Sequence, residues 1–152
     1  MSDVPVSNEI ALPAQLASLS LMADWLAQKT SSLPVSEEWR FALDLAASET
    51  ATNIIRYALH EDEQCNFTVE FIVSGQSVIL RFTDTGDTFP AERLAAAIDK
   101  PLFDADLLAE SGRGVKLIFL YVDTFTVENR EGKNVTILEK RYTLNLQPSI
   151  KY

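Results

Sequence analysis

Hydrophobic and polar positions change their spacing several times along this chain, and each change marks an element. From Pro13 to about Lys29, PAQLASLSLMADWLAQK sets Leu16, Leu19, Met22, Trp25 and Leu26 three and four residues apart, the spacing of one helix face. Pro13 falls near the first position of that expected helix, where its missing N–H is harmless. Ahead of it, PVSNEIALP has an extended apolar look and predicts a short strand closed by the proline. TSSLPV is a turn cluster. Ser36, followed by Glu37 and Glu38, then supplies an N-cap hydroxyl and two carboxylates for the positive first turn of a second helix. That helix is expected from about Glu37 to about Leu59, and its nearly all-round apolar pattern predicts cover on most sides.

The period then falls to two. NFTVEFIVSG alternates with Phe67, Val69, Phe71 and Val73 on one side, SGQS is a hairpin turn, and SVILRFTDTG returns as the partner strand. Alternation stops at Asp84, where DTGDTFP is a loop with a central glycine and a final proline. AERLAAAI has helix propensity, but DKPLFDADLLAES has no clear period, so residues 87–111 are expected to form a mobile segment. SGRG opens a short apolar helix, GVKLIFLYV, and TFTVENREGKNVTILEKRYTLNL reads as two strands joined by NREGKN. Strand, helix, long helix, hairpin, variable segment, helix and hairpin in that order predict an α/β two-layer sandwich. Its sheet should be mixed, mostly antiparallel, and covered on one face by helices. Neither GxGxxG after a first strand nor GxxxxGK[ST] is present, which excludes the Rossmann and P-loop patterns.

Composition narrows the function classes. A chain of 152 residues that is 47% hydrophobic is expected to make one domain over 1–152. It has no run long and apolar enough for a membrane span and no signal-like start, so a cytoplasmic protein is expected. One cysteine, Cys65, and one histidine, His60, offer no zinc or haem set, and the acidic flank EDEQC suits a filler cysteine better than a reactive thiolate. A net charge of −9 argues against nucleic acid or an anionic membrane as partner. A polyphosphate ligand would need a bridging cation.

Three stretches carry chemistry. In ETATNIIRYA, Glu49, Asn53, Arg56 and His60 are spaced four, three and four apart and form a polar stripe on the second helix. Glu49 can simply snorkel or pair with Arg56. With Asn53 it can also polarise a hydroxyl or water while the amide oxygen ligates a hard cation such as Mg²⁺. In TDTGDTFP, Asp84 can cap a turn, or accept from a ligand amino group while Gly86 lets a planar ring approach the backbone and Phe89 adds apolar surface. In ESGRGVKLIF, Gly112 and Gly114 frame Arg113 at a helix start, where backbone N–H groups, the helix dipole and a guanidinium suit phosphate.

In order and role, E-x-x-x-N at Glu49 to Asn53, D-x-G-x-x-F at Asp84 to Phe89 and G-R-G at Gly112 to Gly114 resemble the N, G1 and G2 boxes of the GHKL ATPase/kinase superfamily. Size, spacing and the stretch GRGVKLIFLYVDTFTVENREGKNVTILEKRY look most like the anti-sigma-factor serine/threonine kinases of bacterial partner switching, over roughly residues 5–143. The resemblance implies the GHKL (Bergerat) ATP-binding fold. It makes Glu49 the general base toward a serine or threonine of a protein substrate, Asn53 the Mg²⁺ ligand and Asp84 the acceptor for the adenine amino group. Gly86 would pass the ring, and Gly112, Arg113 and Gly114 would hold the phosphates beneath a lid drawn from 87–111. Thr136 would stand near adenine.

The same resemblance implies ATP and Mg²⁺ as cofactors, an anti-sigma-factor antagonist and a sigma factor as partners, and a homodimer. A nucleotide-binding adaptor without phosphotransfer is the alternative. A detached histidine-kinase catalytic domain fits less well, because no phosphoacceptor helix with a suitable histidine precedes these motifs. Where the family commonly has a histidine, this chain has Tyr57, expected to pack.

Overall fold

The computed structural model describes residues 8–88 and 118–143. Five strands, β1 (Glu9–Pro13), β2 (Asn66–Ser74), β3 (Ser77–Asp84), β4 (Thr124–Arg130) and β5 (Lys133–Arg141), form one sheet in the order β1-β2-β3-β5-β4. Every neighbouring pair is antiparallel. Two helices, α1 (Ser18–Thr30) and α2 (Glu37–Asn53), cover one face, and α2 runs directly into a π-helical turn at Ile54–Ala58. The α/β sandwich read from the sequence is therefore the architecture found.

Alternation along the strands selects the covered face. Phe67, Val69 and Phe71 of β2, Val78, Leu80 and Phe82 of β3, and Leu138 of β5 are buried against Met22 and Leu26 of α1 and Leu43 and Ile55 of the second helical unit. Ala46, Ala47 and Ala51 of α2 are wholly buried, and such small side chains let its backbone lie close to the sheet. The hairpin turns are legible in the backbone: Gly75 has φ 60°, and Glu131 and Gly132 have φ 52° and 81°, the two positive values that a tight antiparallel connection needs.

Ser36 caps α2 as its sequence suggests, its hydroxyl accepting from the Trp39 N–H at 3.0 Å, with Glu37 and Glu38 in the first turn. Trp39 ties this helix start to the end of β5, its indole N–H donating to the Arg141 carbonyl at 2.7 Å.

Three expectations change. Pro13 does not begin α1; it is the last residue of β1, opposite Asn66, and the next residue, Ala14, continues the contact by donating to the Cys65 carbonyl at 2.9 Å. Helix α1 starts later, where the Ser18 hydroxyl bonds back to the Pro13 carbonyl. The second helix is not α-helical to Leu59: the last turn is a π turn, closed by Leu59 N–H to the Ile54 carbonyl at 2.9 Å. Nor is α2 covered nearly all round, since Phe41 is 64% exposed. Residues 118–121 are helical, in keeping with the end of the expected GVKLIFLYV helix. The rest of that helix, the 91–98 helix and most of the 87–111 segment lie outside the described residues.

Candidate functional site

The pleat that buries Val78, Leu80 and Phe82 also turns Asp84, the last residue of β3, toward the helical layer, where it is only 3% exposed. Directly across the ladder stands Asn134 of β5, itself buried. Its side-chain amide donates to Asp84 Oδ1 at 2.9 Å, to the Gly86 carbonyl at 3.0 Å and to the Asp87 carbonyl at 3.1 Å. Its own Oδ1 accepts from Asn129 of β4 at 3.2 Å. The Gly86 N–H adds a bond to Asp84 Oδ1 at 2.8 Å. Both bonds that hold Asp84 thus fall on one oxygen, and Oδ2 accepts none among the described residues. Burial pushes the Asp84 carboxyl pKa up, and the bonds from Asn134 and Gly86 partly offset that.

The π turn shapes the other side. At its C-terminal end, where helix carbonyls lack intrahelical partners, the Ala58 carbonyl accepts from the Asp87 N–H at 2.9 Å and so ties the loop after β3 to the end of the helix. Gly86 is pressed into this junction. A Cβ there would lie 2.1 Å from the Ala58 oxygen and 2.5 Å from its carbonyl carbon, so only glycine fits without rearrangement. Past the turn, His60 and Glu61 take φ of 55° and 56°, which ends the polar stripe expected along one helix. His60 instead reaches Asp87 at 2.7 Å, in an exposed pair.

Between these walls is a cavity of about 250 Å³. Asp84, Thr136, Val127 and Phe125 line it from the sheet, and Asn53, Ile54 and Tyr57 from α2 and the π turn. Its surface is mostly apolar with a few polar groups, the character of a small-molecule site. Among the sequence-derived candidates, Asn53, Asp84 and Thr136 meet at this one cavity. Gly86 stands behind Asp84, and Glu49 lies one helical turn before Asn53, half-buried and outside the cavity lining. Phe89, Gly112, Arg113 and Gly114 lie outside the described residues.

Sequence reasoning missed two residues. Tyr57, expected to pack, lines the cavity. Asn134 organises it, and the available signal was an amide in a strand position that amides seldom favour, two residues before Thr136.

The arrangement can bind a planar group carrying an N–H donor, with the free oxygen of Asp84 as acceptor and an apolar surround. Among the described residues no cluster of His, Cys, Asp and Glu could hold a metal on its own. A cation here would therefore rest on a neutral oxygen such as that of Asn53 together with ligand oxygens, as Mg²⁺ commonly does with phosphates. Desolvation and the neighbouring Asp62 push the Cys65 thiol pKa up, which disfavours the thiolate. No helix among the described residues is long and apolar enough to cross a membrane.

Comparison with known proteins defines the class of this fold. Residues 12–140 match the histidine kinase-like ATPase domain family, and the chain belongs to it. It is similar to the serine-protein kinase RsbW of Bacillus subtilis, with 26% identity over 136 residues, 88% of this chain and 84% of that protein. The RsbW of Listeria monocytogenes is 28% identical over 130 residues, 84% of this chain and 83% of that protein.

Among solved structures, the RsbU and RsbW domains of a Mycobacterium tuberculosis protein share the fold with a TM-score of 0.62 at 14% identity, over 90% of this chain and 32% of that one. The SiaB–SiaC complex of Pseudomonas aeruginosa gives a TM-score of 0.61 at 10% identity, over 87% of this chain and 88% of that one.

Proposed function

We propose that this chain is an ATP- and Mg²⁺-dependent serine/threonine protein kinase of the anti-sigma type. It would phosphorylate a small anti-sigma-factor antagonist and, in its other state, hold a sigma factor. The observation that carries the reading is the Asp84 carboxylate: buried in the cavity wall, fixed through one oxygen and open through the other. That arrangement suits the amino group of adenine, and the kinship with two proteins named serine-protein kinases supports the reaction class.

Asp84, Thr136 and the Ile54–Tyr57 wall would hold adenine, Asn53 would offer its amide oxygen to Mg²⁺, and Gly112, Arg113 and Gly114 would hold the phosphates. Mg²⁺ supplies charge neutralisation that an acidic protein otherwise lacks. Glu49 stands one turn beyond Asn53, at the phosphate end. There it would take the proton of the substrate serine or threonine as that oxygen bonds to the γ-phosphorus and the bond to the β–γ bridging oxygen breaks, with ADP as the leaving group. Residues 87–111 act as the lid, in a single domain over 1–152. The working form is a cytoplasmic homodimer.

A second reading, a nucleotide-binding adaptor without phosphotransfer, is favoured by one observation: Glu49 is not part of the cavity lining. Labelled phosphate appearing on an antagonist protein, and absent with Glu49→Gln, selects the kinase. Tight ATP binding with no transfer by the wild type selects the adaptor.

A further inference from the structure

A second groove, also about 250 Å³, lies between the C-terminal half of α1 and the N-terminal half of α2, and shares no residue with the Asp84 cavity. Its apolar walls include Leu26 and Leu43, buried, and Phe41, which is 64% exposed. A phenylalanine this open on a helix that otherwise packs well is an incomplete contact.

The polar groups of the groove are also incomplete. Arg40 anchors its guanidinium by donating from Nη2 to the carbonyl of Thr30, the last residue of α1, at 3.4 Å. Its Nε is buried and finds no acceptor among the described residues. One turn further on, Asp44 lines the same groove, and desolvation pushes its carboxyl pKa up. It has no hydrogen bond or ion pair among the described residues, although Arg40 lies four positions away on the same helix. Asp24 adds a second carboxylate at the opposite rim. A desolvated carboxylate without a donor is costly, and a cationic occupant of the groove can relieve it.

These needs describe the occupant. It brings apolar side chains to Leu26, Leu43 and Phe41, and cationic groups to Asp24 and Asp44. A second copy of this chain, with its net charge of −9, presents mostly the wrong sign. We infer that the α1/α2 groove is a docking site for a basic amphipathic segment of a partner protein, laid with its apolar face against Phe41. The inference is independent of the nucleotide reading, because the groove stands apart from that cavity.

Two synthetic helical peptides with the same leucine pattern, one carrying lysine and the other glutamate at the remaining positions, test it against the isotope-labelled full chain. The lysine peptide should shift the backbone amide signals of residues 23–30 and 40–44, and the glutamate peptide should not. Phe41→Asp and Asp44→Lys should each weaken binding about tenfold or more, the scale of losing a principal contact. Glu128→Gln, which removes a charge from the far sheet edge, should leave it within about twofold. If Phe41→Asp fails to fold, Asp44→Lys alone decides.

Shifts that map elsewhere would overturn the inference. So would equal binding of the two peptides, or equal weakening by Glu128→Gln and Asp44→Lys. A self-dimer in sedimentation that Phe41→Asp dissolves would assign the groove to a second copy instead.

Discussion

Asn134 donates to Asp84 at 2.9 Å across the β3–β5 ladder, and this bond joins the two central strands at the wall of the cavity. The same amide holds the carbonyls of Gly86 and Asp87, so the acceptor face of Asp84 and the course of the following loop are set together. Asn134→Ala removes these bonds, leaving the buried Asp84 Oδ1 with the Gly86 N–H alone and the Gly86 and Asp87 carbonyls without this donor. It should cost about 2–3 kcal/mol of stability, lowering the thermal midpoint by roughly 5–10 °C. Denaturant titration and calorimetry check both; an unchanged midpoint would mean that the network is not structural.

Asp84→Asn should separate stability from binding. The amide oxygen can still accept from Gly86 and Asn134, but the acceptor offered to the ligand is lost. ATP affinity should fall by about 2–3 kcal/mol, roughly 30- to 160-fold, as for a charged hydrogen bond. Because burial raises the Asp84 pKa in the folded protein, its favourable contribution is complete below the ordinary carboxylate value of 3.8 and is lost as pH rises through the folded value. At neutral pH the wild type therefore bears a cost that the amide does not. The variant's thermal midpoint should equal or exceed the wild type's at pH 7, with a smaller advantage below pH 4. A variant markedly less stable at pH 7 would contradict this account of Asp84.

Gly86→Ala tests the junction with the π turn. The added methyl would sit 2.1 Å from the Ala58 oxygen, a backbone atom that cannot swing aside. Overpacking of this kind costs about 1–3 kcal/mol, and it should also break the Asp87–Ala58 bond and weaken nucleotide binding. Amide hydrogen exchange at Asp87 should speed up; wild-type exchange and stability would show that the loop is not held there.

Ser36→Ala removes the hydroxyl that accepts from Trp39 and should cost about 1 kcal/mol of stability, with ATP binding unchanged, since this cap lies at the opposite end of α2 from Asn53. A loss of affinity alongside the loss of stability would mean that the two ends are coupled.

Much of this was legible in the sequence because it is local. The alternation of Phe67, Val69 and Phe71, the Ser36 cap and the hairpin glycines each report on a few neighbouring residues. So does the position of Asp84 at the end of alternation, which marked the end of β3. What was misread is non-local. Pro13 looks like a helix start until its partner Asn66 is known, more than fifty positions away. Ile54–Ala58 has the same apolar character in an α or a π turn, and its wider winding goes with the bond that Asp87 makes to Ala58. Asn134 looked incidental because its acceptors, Asp84, Gly86 and Asp87, come from a distant part of the chain.

The most direct test of the proposed function pairs two measurements on Glu49→Gln: ATP·Mg²⁺ affinity by calorimetry, and transfer of radiolabelled phosphate to a serine or threonine of an antagonist protein. Glu49 is outside the cavity lining, so affinity should stay within about twofold, while loss of the general base should lower transfer by about 100-fold or more. Labelling by Glu49→Gln at the wild-type rate would contradict the assignment of the base, and the absence of ATP binding by the wild type would contradict the nucleotide site itself.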